Sequence, residues 1–329
     1  MIREQWYVVL DSKEVGKKPI GVTRMGEHLV FWREENQTIH CAADRCPHRG
    51  VSLSIGKVTE NHLQCPFHGL EYDRDGRCVY IPANGRGGRI PDSLYLSTYP
   101  AFEDQGLIWI WWGKSQPYPD QPLFFDNIDG SFVYSSKPDF WKAHYSRAIE
   151  NQLDVVHLPF VHHNTIGRGN NTVVDGPLVK WEGEQKLFTY VFNRPDTGAP
   201  PRKPNQLNIN EARSVHLELI MPNLWQNYIS DDVRIVIAFA PVDAFNTILY
   251  LRFYQRFFRF PLLDRFITTL AMPSNLFIAH QDRRVVETHQ VQPSSLKSDE
   301  KLIQGDLPII EYRKKRAALK EQAGLIFKE

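Results

Sequence analysis

The sequence predicts an α+β protein: a β-rich first third, a helix near mid-chain, a second β-rich region and a helical C-terminal stretch. Three observations carry this expectation. The first third holds short runs rich in β-branched and aromatic residues, Tyr7-Val8-Val9-Leu10, Leu29-Val30-Phe31-Trp32 and Leu107-Ile108-Trp109-Ile110-Trp111. Turn clusters separate them, among them Asp73-Arg74-Asp75-Gly76 and Asn84-Gly85-Arg86-Gly87-Gly88. At mid-chain, Ile149, Leu153 and Val156 recur at i, i+4 and i+7, which predicts a helix from about Trp141 to Leu158 that Pro159 ends or kinks. Residues 173–256 read as strands again, as in His216-Leu217-Glu218-Leu219-Ile220 and Arg234-Ile235-Val236-Ile237-Ala238-Phe239, and the last 70 or so residues read as mainly helical.

The 329 residues suffice for two domains. Three prolines between Gly113 and Pro122 mark the expected boundary, which divides the chain into 1–113 and 114–329. Lysine plus arginine (39) balance aspartate plus glutamate (38), so no basic field points to nucleic acid. The start, Met1-Ile2-Arg3-Glu4-Gln5-Trp6, lacks an apolar signal region. The longest suspicious apolar stretch, Phe266 to Ala279, contains Pro273 and Asn275 and falls short of the roughly 20 apolar residues a span needs. The expectation is a cytoplasmic protein without a membrane span.

Cys41, Cys46, Cys65 and Cys78 all fall within 38 residues, a clustering that favours metal over disulfide. Cys46-Pro47-His48 is followed by Cys65-Pro66-Phe67-His68, so each half brings one thiolate and one imidazole. A two-iron, two-sulfur centre with two cysteines on one iron and two histidines on the other suits that alternation. A Cys₂His₂ zinc site is the competing reading, but zinc fingers keep their cysteines together and their histidines together. Cys41 and Cys78 have no histidine partner and read as small core residues.

A second metal set follows. Asn151, Asp154 and His157, three apart, are expected along one side of the mid-chain helix, with His162 beyond the break at Pro159. Two histidines and a carboxylate on one face hold a mononuclear iron that keeps positions open for oxygen and substrate. For the carboxylate, Asp282 is spaced i+4 from Ile278 and i−4 from Val286, on the expected inward stripe that also includes Val285. A carboxylate on an apolar face is costly unless paired or metal-bound. Glu287 is expected to face solvent, and His163 competes with His162.

These residues resemble those of the Rieske non-haem iron oxygenases. Cys46-Pro47-His48-Arg49-Gly50 and Cys65-Pro66-Phe67-His68-Gly69 look like that family's cluster signature, and Asn-x-x-Asp-x-x-His-x₄-His, from Asn151 to His162, resembles its iron motif at every position. Leu53-Ser54-Ile55-Gly56, Tyr72-Asp73, Ile81-Pro82, Trp6-Tyr7 and Gly106 to Trp111 also fit. The respiratory Rieske branch is disfavoured, because Val51 and Phe67 stand where it has a second cysteine pair. Leu70 departs from the tryptophan common among oxygenases, which concerns packing under the loop.

The resemblance implies an N-terminal Rieske [2Fe–2S] domain and a helix-grip catalytic domain. It implies Cys46, His48, Cys65 and His68 as cluster ligands and His157, His162 and Asp282 as ligands of a mononuclear Fe²⁺. It gives Asp154 the bridge from His157 to His68 of a neighbouring subunit in a head-to-tail homotrimer, and counts Asn151 with Asp154 as catalytic residues. It further implies O₂, a small organic substrate, and a separate reductase or ferredoxin passing on NAD(P)H-derived electrons. Length and spacing look most like the single-subunit monooxygenases, including O- and N-demethylases. Two readings stay open: a ring cis-dihydroxylating dioxygenase, and a non-catalytic Rieske electron-transfer protein. Asn223, Trp225 and Asn227 are candidate pocket residues and Arg168 a candidate carboxylate binder, while the substrate itself is not readable.

Overall fold

The computed structural model describes residues 1–212, 215–257, 261–290 and 293–326. The helical expectation for the last 70 residues therefore covers some positions outside the described ones. The chain divides into two compact units. One comprises Met1, residues 3–122 and Pro241–Asp243; the other comprises Ile2, residues 123–240 and residues 244–329.

The first unit is built of short strands: β1 (Trp6–Asp11), β2 (Ile20–Arg24), β3 (Glu27–Arg33), β4 (Ile39–Ala43), β5 (Lys57–Thr59), β6 (His62–Gln64), β7 (Glu71–Tyr72), β8 (Cys78–Tyr80), β9 (Thr98–Tyr99), β10 (Ala101–Asp104) and β11 (Leu107–Trp111). They form three antiparallel sheets, ordered β1-β11-β10, β2-β3-β4-β9 and β5-β6-β7-β8. The three apolar runs picked out in the sequence are β1, β3 and β11. Trp32, Leu53, Leu63, Leu70, Tyr72 and Leu96 pack together with Cys46 and Cys65, so the β5–β8 sheet and the loops around it share one core. Cys41 and Cys78 are buried free thiols, as expected.

The second unit holds β12 (Val133–Trp141), α1 (Tyr145–Leu153), α2 (Leu158–Val161), β13 (Val173–Glu182), β14 (Lys186–Arg194), β15 (His216–Ile220), β16 (Leu224–Ser230), β17 (Val233–Pro241), β18 (Thr247–Gln255), α3 (Pro261–Val286) and α4 (Leu307–Ile326). Its sheet has seven strands in the order β12-β18-β17-β16-β15-β14-β13. Helix α3 packs on β12 and β18, and α4 packs on β13. No helix among the described residues is long and apolar enough to cross a membrane.

The mid-chain helix is shorter than its periodicity predicts. Helix α1 ends at Leu153, where Asp154 leaves helical geometry at φ −69°, ψ 123°. The Asp154 carboxylate accepts from the backbone N–H groups of Val156 (2.6 Å) and His157 (3.2 Å). A short acidic side chain that captures downstream N–H groups offers the backbone an alternative to the helix, and here it wins. Asn151, Asp154 and His157 therefore do not lie along one continuous helix. A buried ion cluster anchors what remains of α1. Glu150 accepts from Arg147 at 2.8 Å and from Arg313 of α4 at 2.6 and 3.0 Å, one turn before Asp154.

Candidate metal centres

Two near-identical loops build the first centre. Cys46 N–H donates to the Val51 carbonyl and Gly50 N–H to the Cys46 carbonyl, both at 2.8 Å. In the second loop Cys65 N–H donates to Leu70 (2.8 Å) and Gly69 N–H to Cys65 (3.1 Å). Gly50 and Gly69 close these turns at the same left-handed φ of +74°, which a residue with a Cβ adopts only at a cost. Both thiols point inward, each residue being 2 % exposed. His48 and His68 are exposed at the tip, their rings 4.8 Å apart, with Phe67 beside them.

Burial pushes the Cys65 thiol up, while the backbone N–H groups of Phe67 and His68 aimed at its sulfur work the other way, as donors to a thiolate do. The Tyr72 hydroxyl lies 3.3 Å from the Cys46 sulfur. The sequence marked Tyr72 only as part of a pattern; its hydroxyl reaches the sulfur because β7 pairs with β6 directly below the second loop. Leu70, 3 % exposed, packs under the same loop.

The second centre lies wholly in the second unit. Ligand atoms of His157, His162 and Asp282 all fall within 4.8 Å of one another. His162 Nε2 is 2.9 Å and His157 Nε2 3.4 Å from the same oxygen, Asp282 Oδ1. His157 stands at the end of the Asp154 turn, His162 closes α2, and Asp282 comes from the last turns of α3. His163 is exposed and turned to the Phe160 carbonyl, outside the triad. Glu287 is exposed and accepts from Lys142 N–H at 2.8 Å. Asp282 (4 % exposed) and Val286 (1 %) face inward as expected, but Val285 is 39 % exposed and belongs to the solvent side.

Neighbouring side chains fix the ligand atoms. Gln281 Oε1 lies 2.9 Å from His162 Nδ1 and accepts from Thr165 Oγ1 at 2.8 Å, while its Nε2 donates to Asn164 Oδ1 at 2.9 Å. Those contacts leave His162 Nε2 facing the triad. Gln152 of α1 donates to Asp282 Oδ2 at 3.3 Å, which leaves Oδ1 as the oxygen toward the histidines. The sequence reading missed both glutamines; Gln281, adjacent to a candidate ligand on a helix, was the visible signal.

Electrostatics hold the triad together. Burial works against charge on His157, but the Asp154 and Asp282 carboxylates outweigh it and raise the imidazole to about 9. Burial likewise opposes charge on Asp282, yet His157 and His162 pull it down to about 2. Asp154 is held below its ordinary value against its own burial, chiefly by His157. The His157 Nδ1 to Asp154 Oδ1 distance, 3.7 Å, is an ion-pair contact too long for a hydrogen bond. His157 Nδ1 and Asp282 Oδ1 have no hydrogen-bond partner, and neither does Asn151 Nδ2 on the last turn of α1.

A buried carboxylate oxygen with no hydrogen-bond partner, in ion-pair contact with two imidazoles, fits a cation with histidine and carboxylate ligands. The donor set of the first centre fits a different group. Among the described residues only the His157, His162 and Asp282 atoms converge closely enough for one ion. The two thiols and two imidazoles of the loops do not, which disfavours a single tetrahedral zinc and suits a cluster in which two irons divide the four ligands.

Fold and donor sets together define an iron–sulfur oxidoreductase with a second, mononuclear metal centre. The chain belongs to the Rieske oxygenases, in the vanillate O-demethylase branch: residues 5–100 match the Rieske [2Fe-2S] domain, and residues 141–322, more than half of the chain, match the vanillate O-demethylase oxygenase C-terminal domain. That membership brings a [2Fe–2S] cluster and a mononuclear iron. Methylxanthine N1-demethylase NdmA of Pseudomonas putida is 28 % identical over 335 residues, 97 % of this chain and 90 % of that protein. The oxygenase component of dicamba O-demethylase from Stenotrophomonas maltophilia is 35 % identical over 163 residues, 49 % of this chain and 48 % of its own length. Protein TIC 55 of Arabidopsis thaliana is 32 % identical over 166 residues, 49 % of this chain and only 31 % of that protein. The match thus spans less than half the length of several curated relatives. Among solved structures, Pseudomonas putida CBB5 NdmA with caffeine superposes with a TM-score of 0.78 at 26 % identity, over 98 % of this chain and 93 % of that one. Dicamba monooxygenase bound to dicamba shares the fold, with a TM-score of 0.74 at 21 % identity over 99 % of each chain.

Proposed function

We propose that this chain is the terminal oxygenase component of a Rieske system that hydroxylates or demethylates a small organic molecule. The observation that carries the reading is the convergence of His157, His162 and Asp282 in a chain that also holds the paired Cys–His loops. In this reading Cys46, His48, Cys65 and His68 hold the cluster, and His157, His162 and Asp282 hold the iron. When bound, the cluster supplies one-electron transfer and the iron supplies oxygen activation.

The chain's own side chains do the rest. Asp282 gives the triad its single anionic ligand, and the Gln281 contact keeps the His162 ring turned with Nε2 inward. Asn151 Nδ2, buried and unpartnered, is free to donate to a substrate or a water beside the triad. Asp154 faces His157, and in this reading its carboxylate links that imidazole to His68 of another copy in a head-to-tail trimer. A separate reductase or ferredoxin is the electron donor, and the cytoplasm is the compartment we assign.

The test is substrate-dependent O₂ uptake with a surrogate reductase, with product identification. Formaldehyde release or single hydroxylation supports the reading; a cis-diol replaces it with ring dihydroxylation. Absence of mononuclear iron from protein with an intact cluster replaces it with an electron carrier. For the bridge, co-assembled His68→Ala and His157→Ala chains, each inactive alone, should recover part of the activity; folded mixed oligomers that stay dead would remove the trimer model.

A further inference from the structure

Two polar candidates from the sequence are engaged elsewhere: Asn223 Nδ2 donates to the Phe239 carbonyl at 3.0 Å, and the exposed Arg168 donates to the Asn164 carbonyl at 2.9 Å. A buried charge that the sequence did not mark bears on the triad instead. Asp139, 8 % exposed, stands near the end of the edge strand β12. Its Oδ2 accepts from Trp141 Nε1 at 2.7 Å. Its Oδ1 accepts from Arg283 Nη1 at 2.8 Å and from His280 Nε2 at 3.2 Å. Both donors belong to α3 and flank Gln281 and Asp282 in sequence. The ties continue along the strand end: Arg283 Nη1 also donates to the Phe140 carbonyl at 3.4 Å, and Lys142 N–H donates to Glu287 at 2.8 Å. His144, two residues on, caps α1, whose Gln152 donates to Asp282 Oδ2. Strand β12, α1 and α3 thus close a ring of contacts that includes the candidate carboxylate ligand.

The ring matters because of where its contacts fall around the helix. Successive residues of an α-helix turn by about 100°. Gln281 and Arg283 therefore project to opposite flanks of Asp282, and each finds a fixed partner: Gln281 has His162 and Thr165, Arg283 has the Asp139 carboxylate. His280, one turn before Arg283, lies on the Arg283 flank. Besides Asp282, the buried residues of α3 from Met272 onward are Met272, Ala279 and Val286. Such apolar contacts are non-directional and hold a helix down without setting its rotation. Ser135 Oγ donates to Thr268 Oγ1 at 2.8 Å, but that tie lies 14 residues before Asp282, about 21 Å along the axis. Side-chain atoms ride about 5–6 Å from a helix axis, so a turn of about 10° swings Asp282 Oδ1 by about 1 Å. A ligand displaced that far leaves the range in which a metal site keeps its geometry.

We propose that Asp139 is a positioning residue for the mononuclear site: with Arg283 and His280 it fixes the rotation of the last turns of α3, and so the direction in which Asp282 Oδ1 faces His157 and His162. The inference rests on the oxygenase reading and adds to it a residue one layer behind the ligands.

The experiment uses the full-length protein with its cluster in place, stripped of mononuclear iron and titrated with Fe²⁺ in the absence of oxygen. Arg283→Gln removes the nearer donor, a side chain that is 32 % exposed, and Asp139→Asn removes the charge while keeping an acceptor of the same shape. Each should weaken Fe²⁺ binding by about ten-fold and shift the ligand-field bands of the bound ion in magnetic circular dichroism. Arg283→Lys, which keeps a cation facing Asp139, should restore most of the affinity. The two residues act through one contact, so the double variant should bind no more weakly than Asp139→Asn alone; additive losses overturn the proposal. Thr268→Val loosens α3 from β12 far from the triad. It should lower the melting temperature and leave Fe²⁺ affinity and spectrum as in the wild type. Unchanged affinity and spectrum in Arg283→Gln overturn the proposal, whether or not Asp139→Asn folds. So does a loss of affinity in Thr268→Val that matches Arg283→Gln at equal loss of melting temperature, since any loosening of α3 would then suffice. The wild type reports on the oxygenase reading separately. If it takes up no Fe²⁺ at the triad, that reading falls and this inference with it; Fe²⁺ binding indifferent to Arg283 removes this inference alone.

Discussion

The two metal centres are built in opposite ways. In the Cys–His loops the backbone does the work: two copies of one turn, each closed by a cysteine N–H and a left-handed glycine, place four candidate ligands within 23 residues of sequence. In the triad, side chains do it. His162 and Asp282 are 120 residues apart, and the geometry depends on Gln281, Gln152 and Asp154 around them. The first centre should therefore survive changes to its surrounding side chains, while the second should be tuned or lost by them.

The sharpest way to break this contrast is Asp282→Ala. It should remove the mononuclear iron, lowering iron from about three to about two per chain, with the cluster's EPR signal unchanged and activity abolished. Retained activity in that variant would shift the third ligand to another carboxylate, Glu287 first.

Next in size is Gln281→Leu. Losing the acceptor at His162 Nδ1 frees the ring to rotate, so Fe²⁺ affinity should drop by about 10–100-fold, with Gln281→Glu restoring most of it. Unchanged affinity in a folded Gln281→Leu protein would show that α2 alone holds the ring. Gln152→Leu should have a subtler signature: with Asp282 Oδ2 released, the carboxylate can bind through both oxygens, visible as a change in Fe²⁺ coordination number by magnetic circular dichroism.

The pH response sharpens the comparison further. In the metal-free protein His157 is raised to about 9 from an ordinary 6.5. A raised pKa contributes stability that is complete below the unfolded value and lost as pH climbs through the folded one. The metal-free protein should therefore lose about 1–3 kcal/mol between pH 6.5 and 9.5, measured by urea unfolding. Metal binding at neutral pH should release about one proton, because the ligating imidazole is neutral. A metal-free stability flat across that range would mean that His157 is uncharged in the fold.

The smallest expected effect is at the first centre. Tyr72→Phe deletes one hydroxyl facing the Cys46 sulfur. A hydrogen bond worth about 1 kcal/mol corresponds to roughly 40 mV for one electron, so the cluster potential should fall by that order with ligation and the triad untouched. No shift in protein-film voltammetry would place the Tyr72 hydrogen elsewhere.

Much of this architecture was legible in the residues, for local reasons. Strand runs such as 29–32 and 107–111 carry their continuous apolar, β-branched and aromatic character with them, and the Cys-Pro-His and Cys-Pro-Phe-His segments carry both candidate ligands and turn chemistry in five residues. Periodicity on α3 also put Asp282 inward, because a helix repeats regardless of what it packs against. Where periodicity alone spoke, it overran: Val156 continued the apolar stripe of α1, but the Asp154 side chain competes for the next backbone N–H groups and stops the helix at Leu153. Val285 failed for a related reason, since its place on the stripe depended on how much of α3 the sheet covers.

Residue type and spacing thus determined by themselves which side chains are candidates for metal chemistry, because ligand softness and short-range turn geometry are local properties. Only the tertiary structure decided what surrounds them. It brought α3 to the Asp154 turn, turned Gln281 and Gln152 onto the ligands, and put Tyr72 under a sulfur. It also set Asp139 against the last turns of α3. Those are consequences of strand register and helix docking between segments far apart in the chain, and no local pattern records which partner a buried polar atom will find, or that it will find none.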